Sequence, residues 1–194
     1  MAVKVRQRLR AIFDYAVEHG QLAGNPLPAS RRRAKTDRRH YPAVNDRIEI
    51  GAILRAANNA ELSRGVRRAH YLVVYTCQRI GEIVPAQWSE FDQDGGVWSI
   101  PRGRMKRKDA ERGDHLIPIP PRLLKMLRDW RETDDDGSSY VCPGPRDHSR
   151  AVTIEAVEKF YRRGLALANK HSPHSWRSVF STWVRERWQG RRPC

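Results

Sequence analysis

Helical periodicity is the feature that most constrains how this chain of 194 residues can fold. In most segments apolar side chains recur at three- and four-residue intervals, the spacing that places them on one face of an α-helix. The interruptions fall at glycine, proline and Asn-Pro, which end helices. The pattern predicts helices over residues 3–19, 66–77, 121–130, 153–165 and 172–184.

Two further helices are predicted in the region that follows residue 42. Asn45 or Asp46 is placed to cap a helix, because both side chains accept hydrogen bonds from backbone N–H groups of a first turn. Its apolar stripe comprises Ile48, Ala52, Ile53 and Ala56. Residues 80–84 predict a short helix that ends before Pro85.

The middle of the chain has the pattern of a β-hairpin. Residues 97–101 and 115–119 predict two short strands, and the charged loop between them, residues 102–114, has a glycine near each end. Residues 140–142 predict one more short strand. The fold class expected from the sequence is therefore mainly α with a small antiparallel β-sheet or hairpin.

The charge of the chain indicates the kind of partner. There are 37 Lys and Arg against 22 Asp and Glu, a net charge of +15. Such a surface favours a polyanion, more often DNA or RNA than an anionic membrane surface. No segment approaches the roughly 18–20 apolar residues of a membrane helix, and residues 1–10 lack the apolar stretch of a secretory signal. We therefore expect no membrane partner.

Cysteine usage indicates a reduced compartment. Cys77, Cys142 and Cys194 lie far apart and no Cys-x-x-Cys pair occurs, which predicts neither a disulfide framework nor a zinc ribbon. A cytoplasmic protein is expected. No cluster of His, Cys, Asp and Glu with the spacing of metal ligands is apparent, so we predict neither a metal nor a cofactor.

Basic residues are concentrated in two segments. Residues 30–41 form a charged linker, read either as a solvated tether or as a strap that follows phosphates between two lobes. The hairpin tip is either a general DNA-facing loop or the source of a lysine that donates a proton to a reacting oxygen. The DNA-binding candidates are Arg31, Arg32, Arg33, Lys35, Arg38 and Arg39 in the linker, and Arg102, Arg104, Arg107, Lys108 and Arg112 in the tip.

Three further residues are candidates for chemistry. His174 and Arg177 are three apart at the start of the last predicted helix, so both should project from its first turn. They form either an anion site, aided by the free N–H groups of the helix end, or a solvated polar pair. Arg79 lies between apolar segments, where a half-buried guanidinium needs a partner. That partner is either Glu82 or a bound phosphate.

Three motifs in order carry a family resemblance. They are T-C-Q-R-I-G-E-I at residues 76–83, M-K-R-K at 105–108 and S-P-H-S-W-R at 172–177. Together they resemble the catalytic domain of tyrosine recombinases, most closely the phage-type integrases. The first box matches that family at Thr76, Arg79, Glu82 and Ile83, with Cys77 where the family usually has glycine.

The resemblance implies a metal-free exchange of DNA phosphodiesters, the strand breakage and rejoining of site-specific recombination and integration. By resemblance, Arg79 and Arg177 hold the non-bridging phosphate oxygens, and His174 positions or protonates. Lys106, or Lys108 as the other candidate, delivers a proton to the departing 5′-oxygen. The implied partners are double-stranded DNA and other recombinase protomers. A type IB topoisomerase and a basic RNA-associated protein fit these motifs less well.

The resemblance also divides the chain. Residues 1–29 match the final helix of a core-binding domain, 30–41 are the basic linker, 42–184 are an incomplete catalytic domain, and 185–194 are a basic tail unlike the family. The family's nucleophilic tyrosine lies after the H-x-x-R box, yet no tyrosine follows Arg177. Tyr140 and Tyr161 precede that box and are predicted to be core or surface aromatics. We therefore expect a truncated or altered recombinase, inactive alone; the alternative is a non-catalytic, basic DNA-binding fragment.

Overall fold

A computed structural model describes residues 2–27, 42–105, 113–133 and 137–189 of the chain. The chain divides into two compact units, Met1–Arg39 and His40–Cys194. The predicted basic linker at 30–41 and the last five residues of the predicted tail, 190–194, lie outside the described residues. The division into domains made from the sequence stays a prediction.

The first unit is built on helix α1, Ala2–Glu18, which confirms the helix predicted there. Gly20 follows the helix two residues after its end, and its positive φ of 70° is a conformation that glycine adopts without strain. Asn25 then folds back on the helix, donating from Nδ2 to the Arg10 carbonyl at 3.2 Å and to Asp14 Oδ1 at 2.6 Å. These bonds fix the turn that follows α1.

The described part of the second unit contains six α-helices and one three-stranded antiparallel sheet. The helices are α2 Arg47–Asn59, α3 Arg64–Thr76, α4 Ile80–Ile83, α5 Pro121–Thr133, α6 Ile154–Lys159 and α7 Ser175–Gln189. The strands are β1 Phe91–Asp92, β2 Val97–Ile100 and β3 His115–Pro118, in the order β1-β2-β3. The predicted fold class and the hairpin of β2 and β3 are thereby confirmed.

The core of this unit lies around α3. Leu72 and Val73 are fully buried on that helix, as are Trp98 of β2 and Leu123 and Leu127 of α5. The spacing of the apolar residues on α3 and α5 follows the helical period, so each helix turns one face to the core. In β2 the buried residues Trp98 and Ile100 alternate with half-buried neighbours, as expected for a strand covered on one face.

The predicted apolar stripe of α2 is wrong. Asp46 caps the helix as expected, accepting hydrogen bonds from the N–H groups of Ile48 and Glu49. The buried face, however, consists of Ile50, Ile53 and Ala57, while Ile48 is 79% exposed. Both stripes follow the helical period and share Ile53, so periodicity alone does not distinguish them. Which stripe is buried depends on which face of α2 packs against the core.

The last two helices differ in detail from the prediction. Thr153 caps α6 as expected, and a π-helical turn, Phe160–Gly164, follows it. Helix α7 begins at Ser175 rather than at residue 172. Only two of the five residues in its predicted apolar stripe are buried. The buried members are Trp176 and Val179, whereas the later members of the stripe are partly or largely exposed: Phe180, Trp183 and Val184.

Two β features also differ from the prediction. Residues 140–142 form no strand: the structure has isolated bridges, Gln87 with Tyr140 and Pro143 with Ala151. Strand β1 was not predicted, because two residues are too few for a recognisable alternation. Among the described residues, no helix has the length and apolar character needed to cross a membrane.

Candidate active site

The end of α3 sets up the first part of the site. Cys77 takes the left-handed conformation, with φ of 53°, and its N–H donates to the Val73 carbonyl at 2.9 Å. This cap reverses the chain, because a left-handed residue cannot continue the helix. Burial raises the pKa of the Cys77 thiol, although the nearby Arg177 charge opposes the shift.

The reversed chain places Arg79 at the start of α4. The buried Glu82 carboxylate accepts from the Arg79 backbone N–H at 3.2 Å and from its guanidinium Nη1 at 3.0 Å. Glu82 is therefore a partner of Arg79, one of the two alternatives drawn from the sequence. The Arg79 side chain still keeps 46% of its surface exposed, so the guanidinium also faces solvent.

The third motif meets the first through a backbone group. Arg177 of α7 donates from Nη1 to the Cys77 carbonyl at 2.8 Å. His174 lies in the turn before α7 and not in its first turn, contrary to the sequence prediction, because α7 begins at Ser175. Partial burial lowers the pKa of His174, and the positive charges of Arg177 and Arg79 lower it further.

Arg79, His174 and Arg177 line two depressions. One, of about 380 Å³, is lined by Arg79, Glu82, Arg104 and His174 together with Ile80 and Gly81. The other, of about 580 Å³, includes Cys77 and Arg177. Arg79, His174 and Arg177 thus come together at the end of α3, on a solvent-open surface. A phosphate group between two guanidinium groups would be held by charge-assisted hydrogen bonds.

Most of the basic candidates lie outside the described residues. In the linker these are Arg31, Arg32, Arg33, Lys35, Arg38 and Arg39. In the hairpin tip they are Lys106, Arg107, Lys108 and Arg112. Their roles, including that of Lys106 or Lys108 as proton donor, stay predictions.

The two described arginines of the tip are bonded within the protein. Arg102 donates from its backbone N–H to Asp114 Oδ1 at 3.0 Å and from Nε to the Gly113 carbonyl at 2.7 Å, which joins the two ends of the tip. Arg104 donates from Nη2 to Glu90 Oε2 at 2.6 Å. Glu90 was missed by the sequence reasoning, and nothing in the residues around it signals an ion pair.

Tyr161 lies in the core, as one of the two sequence alternatives had it. Its hydroxyl accepts from Trp176 Nε1 at 2.8 Å and forms a hydrogen bond with His70 Nδ1, also at 2.8 Å. Burial raises the pKa of Tyr161 well above its usual range and lowers that of His70 to about 4. A neutral phenol in the core is no nucleophile. Tyr140 is half-buried beside its bridge to Gln87.

Within residues 2–27, 42–105, 113–133 and 137–189, no group of three or more His, Cys, Asp or Glu side chains is placed to hold a metal ion. The candidate site gathers the guanidinium groups of Arg79 and Arg177 and the imidazole of His174 around one carboxylate, Glu82, which is already paired with Arg79; the surplus of positive charge suits an anionic ligand.

Comparison with known proteins agrees with this arrangement. A family model described as the phage integrase family matches residues 46–188. The chain belongs to the phage integrase family. It is 28% identical over 191 residues to an integrase of Enterobacteria phage P4, covering 92% of this chain and 43% of that protein. It is 25% identical over 182 residues to the tyrosine recombinase XerC of Xanthomonas campestris pv. campestris, covering 91% and 53%.

Solved structures show the same fold. A lambda integrase dimer bound to a COC′ core site superposes with a TM-score of 0.66 at 19% identity, covering 94% of this chain and 51% of that one. The Tn1549 transposon integrase in complex with a circular intermediate DNA gives 0.70 at 13% identity, covering 94% and 65%. The resemblance to the tyrosine recombinase catalytic domain is confirmed. This chain spans about half the length of the curated relatives that it matches.

Proposed function

We propose that this chain is the catalytic-domain part of a site-specific DNA recombinase, which takes part in DNA integration by breaking and rejoining strands. The observation that carries the proposal is the meeting of Arg79, His174 and Arg177 at the left-handed cap of α3. The proposed partners are double-stranded DNA and other recombinase protomers, in the cytoplasm. The names of two relatives, an integrase and a tyrosine recombinase, support the proposal.

The arrangement suits attack on a phosphodiester. Negative charge grows on the non-bridging oxygens as phosphorus becomes five-coordinate, and Arg79 and Arg177 stabilise it from two sides. His174 has a lowered pKa, so near neutral pH its imidazole is largely uncharged and can accept a proton from an attacking hydroxyl. Lys106, or Lys108 as the other candidate, supplies the proton that the departing 5′-oxygen needs.

Residues 178–194 contain no tyrosine, so that stretch does not supply a tyrosine nucleophile. We expect a polypeptide of these 194 residues alone to form no covalent complex with nicked DNA. The measurement is an SDS gel of the protein with a labelled nicked duplex, with and without protease. An adduct that maps to Tyr140 or Tyr161 would contradict the assignment of both as structural residues.

DNA binding itself is tested by its salt dependence. Each phosphate contact contributes a slope of about 0.9 to the fall of log affinity with log salt. Replacing the tip's undescribed basic residues by glutamine should flatten the slope: Lys106, Arg107, Lys108 and Arg112. A control with the same loss of charge replaces four exposed basic residues of α5 and α6: Arg122, Lys125, Arg128 and Lys159. Equal slopes for the two variants would refute the tip as a DNA contact.

The alternative function is a non-catalytic DNA-binding module. A small external nucleophile, such as hydrogen peroxide or a phenol, separates the two. If the candidate site is catalytic, the protein should nick bound duplex DNA when this nucleophile is added. Arg177→Lys should then lower the nicking rate by about 100-fold, the usual cost of one lost charge stabiliser. Arg128→Lys is the matched control. Tight binding without any nicking supports the binding module.

A further inference from the structure

An ion pair beside the candidate site joins the start of the hairpin tip, at Arg104, to the segment just before strand β1, at Glu90. Arg104, which ends the 3-10 turn after β2, donates to both carboxylate oxygens of Glu90, and the Nη2–Oε2 distance is 2.6 Å. Glu90 ends the 3-10 turn before β1. The paired geometry is the strongest that a guanidinium and a carboxylate form.

The surroundings hold both partners in place. The Glu90 side chain is only 8% exposed and also accepts from Trp98 Nε1 at 3.0 Å and from the Gln87 N–H at 3.2 Å. Arg104 is 23% exposed and donates to the Pro85 carbonyl, just after α4, at 2.8 Å. One guanidinium therefore ties the start of the tip to the segment that follows α4 and to the edge of the sheet.

The position of this pair relates it to the site. Arg104 lines the same 380 Å³ depression as Arg79 and His174. Lys106, the predicted proton donor, follows Arg104 by two residues in the sequence. Because the ion pair holds Arg104 at the wall of the depression, it limits how far from the cleft the residues after Arg104 can lie.

We propose that Glu90 and Arg104 are positioning residues, a buried anchor that holds the start of the basic tip beside the cleft, and that Arg104 is not a phosphate contact. The proposal rests on the proposed function in that the tip serves DNA chemistry. The anchoring is a property of the protein without DNA and is tested separately from it.

The first test measures how the tip is held in the protein alone. Trypsin cleaves after the basic residues of the tip, and the rate under native conditions follows local opening. In the full chain, Glu90→Gln and Arg104→Gln should each speed cleavage after Lys106, Arg107 and Lys108 by about tenfold, since each breaks a charge-assisted pair. The double variant should be no faster than either single one, because both changes remove the same interaction.

Matched controls come from an exposed ion pair on α5. Lys125 and Asp129 are bonded at 2.7 Å, with side chains 76% and 52% exposed. Asp129→Asn changes the net charge as Glu90→Gln does, and Lys125→Gln as Arg104→Gln does. Neither control should alter cleavage of the tip. Thermal unfolding of every variant shows whether faster cleavage reflects the tip or the whole domain, and Arg104→Lys, which keeps the charge, should restore part of the protection.

The second test uses duplex DNA and separates anchoring from phosphate contact by sign. An anchor predicts that Glu90→Gln and Arg104→Gln weaken binding alike, relative to their charge-matched controls. A phosphate contact predicts opposite effects: Arg104→Gln weakens binding and lowers the salt slope by about 0.9, while Glu90→Gln strengthens it. Opposite effects, or unchanged cleavage of the tip in both variants, would overturn the proposal. If no variant binds DNA but the cleavage result holds, the anchor stands and the proposed function fails.

Discussion

Replacing Tyr161 by phenylalanine tests the buried polar network beneath α7. The change keeps the aromatic ring and removes only the hydroxyl, which accepts from Trp176 Nε1 and forms a hydrogen bond with His70 Nδ1, both at 2.8 Å. Tyr161 is 1% exposed, so water does not replace the lost partner. We expect a large loss of stability with little change in packing.

The size of the loss follows from the two groups left without a partner. A buried donor or acceptor that loses its hydrogen bond costs about 1–3 kcal/mol. The indole N–H of Trp176 and the Nδ1 atom of His70 would both be stranded, and His70 Nε2 already has no partner among the described residues. Tyr161→Phe should therefore lower the free energy of unfolding by about 2–4 kcal/mol.

Urea unfolding followed by circular dichroism measures this loss. With a slope of about 2–3 kcal/mol per molar urea, the midpoint should fall by about 1 M. Tyr71→Phe is the matched control, because its hydroxyl donates to Asn58 Oδ1 at an exposed site, where water substitutes at a cost below about 0.5 kcal/mol. Equal midpoints for the two variants would refute the account of the network. Combining Tyr161→Phe with Trp176→Phe should cost less than the sum of the single changes.

Three further predictions concern stability. Burial lowers the pKa of both His70 and His171 to about 4, so between pH 6.5 and 5 the unfolded chain binds protons that the folded chain does not. As the pH falls through this range, the free energy of unfolding should decrease by about 1.4 kcal/mol per pH unit for each histidine. Equal urea midpoints at pH 7 and pH 5 would contradict this. Cys77→Gly should raise the melting temperature by about 3 °C, because glycine takes the left-handed conformation without strain; a fall in calorimetry would show that thiol packing outweighs it. Ile53→Ala should cost about 2–4 kcal/mol and Ile48→Ala under about 0.5 kcal/mol in urea unfolding, and the reverse order would restore the stripe expected from the sequence.

The helices were predictable because a long apolar period leaves little freedom of assignment. Helices α1, α3 and α5 repeat that period over at least three turns, and glycine or proline marks an end of each predicted segment or its flank. Helix α2 shows the limit of this reasoning. Its small and apolar residues allow two stripes, and only contact with the core selects one.

The site was predictable in part. Arg79, His174 and Arg177 belong to motifs with fixed spacing, and the structure brings them together. The bonding of Arg104 to Glu90 was not predictable, because a charged side chain has the same appearance in a sequence whether it pairs inside the protein or faces DNA. The two partners lie 14 positions apart in the sequence, with two strands between them, so no local spacing rule relates them.

The bond from Arg177 to the Cys77 carbonyl also bears on the order of folding. It joins residues 100 apart in the sequence, whereas Arg79 and Glu82 are three apart. Closing a loop of that length costs about 4 kcal/mol of chain entropy, so the contact forms only when other contacts already hold α7 against α3. During synthesis Arg79 leaves the ribosome long before Arg177 does. A nascent or partly folded chain therefore presents one arginine without the other, and only the folded domain has both arginines of the candidate site in place.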